Sequence, residues 1–131
     1  MTVQEFVAAH IPGCGRGFGP SSAIGFEENG RLVAGVVYHN WSPETQVIEL
    51  SFASSQRKWL TRERLRQILD YPFNQLGCRL IVARTSEHNA RVRRICRQLG
   101  AQEHVIPLLR GPDEAEVILT LTAEAWRDGP F

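Results

Sequence analysis

Apolar residues recur along this chain with two different periods, and the change of period separates its first half from its second. Between residues 22 and 53 they fall at alternate positions or in short runs, the signature of strands. The runs SAIGFEE and RLVAGVVYHNW flank Asn29-Gly30, a pair that favours a tight hairpin turn, and predict antiparallel strands over 22–28 and 31–41. Trp41-Ser42-Pro43-Glu44 reads as the next turn. In QVIELSFA, residues 46–53, Ile48, Leu50 and Phe52 alternate with Glu49 and Ser51, which predicts a third strand with one apolar face.

Beyond residue 61 the period becomes three and four. Leu65, Ile68, Leu69, Phe73 and Leu76 predict a helix from near Thr61 to near Gly77, kinked or cut short at Pro72. Leu80 to Ala83 is a strand-like run within residues 79–85, and the turn Thr85 to Asn89 can cap a helix after it. Val92, Ile95, Cys96 and Leu99 then form one helical stripe, closed by Gly100 in the position of a left-handed stop. The segments 102–111 and 116–126 read as two last strands joined around Gly111-Pro112-Asp113-Glu114. Strand 116–122 is expected at a free edge, which a second copy could cover as a homodimer.

Ahead of the first hairpin, Val3, Phe6 and Val7 predict a short helix over 2–11, capped by Thr2 and ended by Pro12. Residues 12–20 hold Gly13, Gly15, Gly17 and Gly19. A phosphate cradle would need a strand before these glycines and a helix directly after them. The sequence offers neither, so a loop bordering a site is the better expectation.

The 131 residues suffice for one domain over 1–131, with one core. Apolar residues at 43%, charged residues at 22% and a formal net charge of +1 fit an ordinary globular chain and give no global field for nucleic acid or membrane. No apolar run reaches membrane-spanning length, and residues 1–12 lack a secretory signal, so a cytoplasmic protein is expected. The three cysteines, Cys14, Cys78 and Cys96, and the scattered histidines have no metal-ligand spacing, so no metal is expected.

Asn89 opening a helix that closes on Leu99-Gly100 resembles the signature of the Gcn5-related N-acetyltransferase (GNAT) superfamily, as does the element order of the whole chain. Cys96 stands where that signature often has Tyr, and Ala101 where it has Phe. The resemblance implies an α/β (α+β) fold: a mixed, mostly antiparallel sheet flanked by helices, here with an abbreviated N-terminus. It also implies acetyl-CoA or another acyl-CoA as co-substrate, and a small-molecule or peptide amine as acceptor. Segment 46–53 would splay from the parallel segment 79–85 and leave a slot for the cofactor.

The family's cofactor loop aligns with Gln56, Arg57, Lys58, Trp59, Leu60 and Thr61, where Trp59 and Thr61 replace small residues. These six, with Phe52, Ala53, Ser54 and Asn89, are the expected cofactor contacts, and a backbone N–H near Phe52 is the expected oxyanion donor. Glu49 is the expected general base, acting directly or through water. Cys96 holds the position of the general acid. Tyr38, Asn40 and Ser51 are the expected acceptor contacts, and Tyr38, His39 and Ser51 are alternative proton carriers. Arg91, Arg93, Arg94 and Arg97 lack the aromatic partners of a nucleic-acid site. The competing reading is a GNAT-fold binding module without efficient chemistry.

Overall fold

The computed structural model describes residues 1–11, 14 and 17–130, so the expectations for Gly13 and Gly15 lie outside the described residues. Helix α1 (Val3–His10) precedes strands β1 (Ser21–Glu28), β2 (Arg31–Ser42) and β3 (Val47–Ser54). Helix α2 (Arg62–Asp70) continues into a π turn (Tyr71–Gln75), and is followed by β4 (Leu80–Ser86) and α3 (Ala90–Leu99). Strands β5 (Gln102–Gly111) and β6 (Glu114–Thr122) and helix α4 (Ala123–Asp128) close the described chain. The strands make a six-stranded sheet in the order β1-β2-β3-β4-β6-β5. Among the described residues, only β3 and β4 run parallel.

Local chemistry sets the boundaries. Asn29 and Gly30 both have positive φ, 54° and 76°, the left-handed pair that a tight hairpin needs. The hydroxyls of Thr2 and Thr61 and the Asn89 amide oxygen accept from the N–H groups of Glu5, Arg64 and Val92, capping α1, α2 and α3. Gly100 ends α3 at φ 97°. The same device explains an element that the apolar pattern reads as strand. Thr122 accepts from the Ala125 N–H and starts α4, so residues 123–126 are helical.

Pro72 acts through what it lacks. With no N–H it cannot bond the carbonyl four residues back, that of Ile68, and the regular helix stops at Asp70. The freed Ile68 carbonyl accepts instead from the hydroxyl of Tyr38, across the core. Tyr38 is therefore buried and structural, with its hydroxyl pKa raised by burial.

The sheet has two differently dressed faces. On one, Tyr38, Ile48, Leu50, Ile81 and Leu121 pack with α2, the π turn and α3 as the main core. On the other, α1 lies over Val37 through Phe6 and Val7. Gly25 and Gly35 pair directly across β1 and β2 beneath α1. A β-carbon would stand 2.7 Å from Val3 at Gly25 and 2.6 Å from it at Gly35, so the helix fits only because both are absent.

α1 packs on β1, β2 and β3, while Arg84 of β4 and Gln102, His104 and Ile106 of β5 remain exposed. Strand β6, expected at an edge, is internal because β4 and β5 both pair with it. The sheet's edges are β1 and, on this side, β5, whose Leu108 is 70% exposed. Among the described residues, no helix is long and apolar enough to cross a membrane.

Candidate functional site

β3 and β4 pair only from Val47 opposite Leu80 to Leu50 opposite Ala83. Past that row β3 stays with β2 as far as Ser54 opposite Ala34, while β4 stays with β6 as far as Ser86 opposite Glu116. Each strand follows its other neighbour, and the sheet opens between them. On the helical side of the opening lies a cavity of about 300 Å³ walled by apolar side chains, among them Leu50, Phe52, Leu60, Val92 and Leu119. Ala83 and Cys96 also face it.

The loop from β3 to α2 forms one wall of this cavity. Ser54 Oγ accepts from the Gln56 N–H at 2.9 Å and turns the chain inward, with Ser54 and Gln56 both at the cavity. Trp59 sets its ring 5.9 Å from that of Phe26, and Arg64 donates to the Trp59 carbonyl at 2.7 Å. The ring is thus a wall of the cavity and leaves it open. Arg57, Lys58, Arg91 and Arg94 line an adjoining groove of about 680 Å³, which shares Arg57, Arg91 and Ile95 with the cavity. Among the described residues, four cations and no carboxylate line that groove, a setting suited to phosphate groups. Thr61, an expected cofactor contact, lines neither the cavity nor the groove; its hydroxyl accepts from the Arg64 N–H and caps α2.

On the opposite face, strand register assembles a polar cluster. His39 stands across from Glu49, and Val37 across from Ser51, so Glu49, Ser51 and His39 share the α1 side of the sheet. His39 Nε2 lies 2.8 Å from Ser51 Oγ and 3.8 Å from Glu49 Oε2. Asn40, at φ 53°, donates from its amide nitrogen to Glu49 Oε1 at 3.0 Å. Arg84 Nε is 3.7 Å from Glu49 Oε2. The Phe18 ring sits 4.9 Å from the His39 ring and borders the cluster.

Burial drives the His39 pKa below the ordinary histidine value; Glu49 opposes this and Arg84 adds to it. The neutral ring is then the form present near neutral pH. The sequence offers His39 only as an alternative proton carrier; its contacts with Ser51 and Glu49 were hidden, since both partners come from the neighbouring strand. The available signal was its register opposite a Glu-x-Ser pair.

Several expected site residues lie elsewhere. Tyr38 faces the core, bonded to Ile68, and cannot reach the acceptor side with Asn40 and Ser51. Ala53 packs toward α1 rather than into the cavity. Asn89 spends its amide on the α3 cap and on Thr85, to which it donates at 3.1 Å. Cys96 faces the apolar cavity, where burial foremost, with Glu103 adding to it, pushes its thiol up to about 11. A thiol that weak is a poor proton donor to a thiolate whose own pKa is about 8.5. Arg93 and Arg97 pair with Glu103 and tie α3 to β5, leaving Arg91 and Arg94 for the groove.

Among the described residues, no group of three or more His, Cys, Asp or Glu is placed to hold a metal ion. No curated protein matches this sequence. Among solved structures, a probable acetyltransferase superposes with a TM-score of 0.67 at 18% identity, over 80% of this chain and 63% of its own. The chain thus spans under two thirds of that structure's length. A dodecameric spermidine N-acetyltransferase from Vibrio cholerae superposes with a TM-score of 0.72 at 14% identity, over 84% of this chain and 69% of its own. At such identities the likeness is one of fold. The family model of the acetyltransferase (GNAT) domain matches residues 4–102, and with the parted strands and their slot in view, the chain belongs to the GNAT acetyltransferase family.

Proposed function

We propose that the chain transfers an acetyl group from acetyl-CoA to an amine, with Glu49 as the general base. The observation that carries this reading is the break in pairing after Leu50 and Ala83. It joins an apolar slot and a cationic groove on one face to the Glu49 cluster on the other.

The chain's own groups fit the co-substrate. Arg57, Lys58, Arg91 and Arg94 would hold its phosphates, and the walls around Phe52, Leu60 and Trp59 would hold the thioester arm away from water. The β3 backbone past Leu50 is free of β4 on the slot side, so its N–H and C=O groups can pair with an amide-bearing chain as an added strand would. Acetyl-CoA, when bound, supplies an activated acyl group on a thiol that leaves readily.

An amine of the lysine type has a pKa of about 10.4 and reaches the site as an ammonium, so a base must take its proton. Glu49 Oε2 suits that task. Its neighbours His39 and Arg84 stand at 3.8 and 3.7 Å, which leaves it a lone pair for the incoming N–H. Asn40 fixes the other carboxylate oxygen. His39, neutral and bonded to Ser51, completes a polar wall that holds the acceptor nitrogen toward the slot.

Thermal unfolding with and without millimolar acetyl-CoA tests the reading. Bound co-substrate raises the melting temperature by mass action, and desulfo-CoA or CoA should do so as well. No shift with any of these would overturn it.

A further inference from the structure

The acceptor side carries information about the amine itself. Ser51 and Arg84 are the first residues past the last paired row of β3 and β4, so one stands on each side of the slot mouth. Register places both on the α1 face. Arg84's side chain is 53% exposed and turns its Nε edge toward Glu49. Among the described residues its guanidinium makes no hydrogen bond, and the planar fork of its two terminal nitrogens matches a carboxylate.

The balance of charge points the same way. Glu49 is faced by Arg84 at 3.7 Å, and the buried Glu116 by Arg110 at 3.9 Å. His39 is held neutral. A polyamine brings several ammonium groups, each of which needs a carboxylate to spare, and here every carboxylate named already faces an arginine. Arg84 would repel a second cation at the mouth.

We propose that the acceptor is an amine with a carboxylate one carbon away, an α-amino acid, whose nitrogen meets Glu49 while its carboxylate pairs with the outer edge of Arg84. This rests on the acetyl-transfer reading above. The short spacing between Glu49 Oε2 and the Arg84 guanidinium suits an ammonium and a carboxylate held on a single carbon. The chemistry balances: Glu49 takes one proton from the ammonium, the neutral nitrogen bonds to the acyl carbon, the C–S bond breaks, and the second N–H proton passes to the departing CoA thiolate, which leaves as the thiol.

The test uses the full chain in the presence of CoA, with a panel of L-amino acids, their carboxamides and spermidine. Binding is read by calorimetry, and transfer from acetyl-CoA by release of free thiol. At least one amino acid should bind about tenfold or more tightly than its carboxamide, since a charge-assisted bidentate pair is lost in the amide. Arg84→Gln should erase that preference, and Arg84→Lys should restore part of it. Equal binding of amino acid and carboxamide, no binding of any amino acid, or spermidine as the best ligand would each overturn the inference. Acetyl-CoA binding and transfer to other amines would still stand in those cases. Absence of any acetyl-CoA shift marks the separate failure of the transfer reading.

Discussion

Tyr38 and His39 are adjacent in sequence and point to opposite faces of the same sheet, and their fates differ accordingly. Tyr38 enters an apolar interior where its one polar atom is matched to one orphaned carbonyl. His39 is buried on the α1 side, where a serine hydroxyl and a carboxylate face its ring and a guanidinium faces the same carboxylate. The helical face is organised by volume, with side chains of α2 and α3 filling around a slot. The α1 face is organised by charge, and its polar groups retain lone pairs and donors for a visitor. One strand pair thus presents a packed apolar face on one side and a cluster of polar groups on the other.

The sharpest way to break this division is Glu49→Gln. It keeps the shape and the Asn40 contact but removes the base, so transfer should fall by at least about 100-fold while the melting temperature holds. Turnover equal to the parent would take Glu49 out of the mechanism. Tyr38→Phe probes the other face. It strands the Ile68 carbonyl in the core and should cost about 1–3 kcal/mol in urea unfolding, with turnover kept below the melting point. Loss of turnover with unchanged stability would place Tyr38 in the site after all.

Cys96→Ala should cost about 1 kcal/mol for the small void it leaves, with kcat unchanged, because the thiol is a wall and not an acid. A drop in kcat alone would restore the acid role. The smallest effect concerns His39. Its folded pKa lies below its unfolded one, so on acidification the unfolded chain takes up the proton first. Its contribution is complete above about pH 6.5 and drains as the pH falls below that value. His39→Asn should flatten this part of the pH–stability curve, and an unchanged slope would assign it to other groups.

Much of the fold was legible because its signals are local. Asn29-Gly30, the threonine and asparagine caps and Gly100 each act within four residues of themselves, and the alternation Ile48-Leu50-Phe52 needs no partner to be read. The parting of β3 from β4 came only through family resemblance, since no property of either strand alone states how far they pair. What stayed hidden depends on distant partners. Tyr38 has the chemistry of a proton carrier, but Ile68 claims it through the gap that Pro72 leaves. The thiol of Cys96 is a donor by residue type, and only the cavity around it shows otherwise. Helix α4 was lost because six residues after a strand are too few for a period to declare itself. The position of β6 between β4 and β5 is a matter of topology, which a run such as EVILTLT does not encode.

The paired glycines under α1 set the clearance between that helix and the sheet. Val3 of the helix rests almost on the bare backbone at Gly25 and Gly35, so α1 sits low over the face on which the Phe18 ring meets His39. A methyl group at either position would press on Val3 and lift the helix from the strands beneath it. Two missing carbon atoms therefore govern how closely α1 covers this side of the sheet.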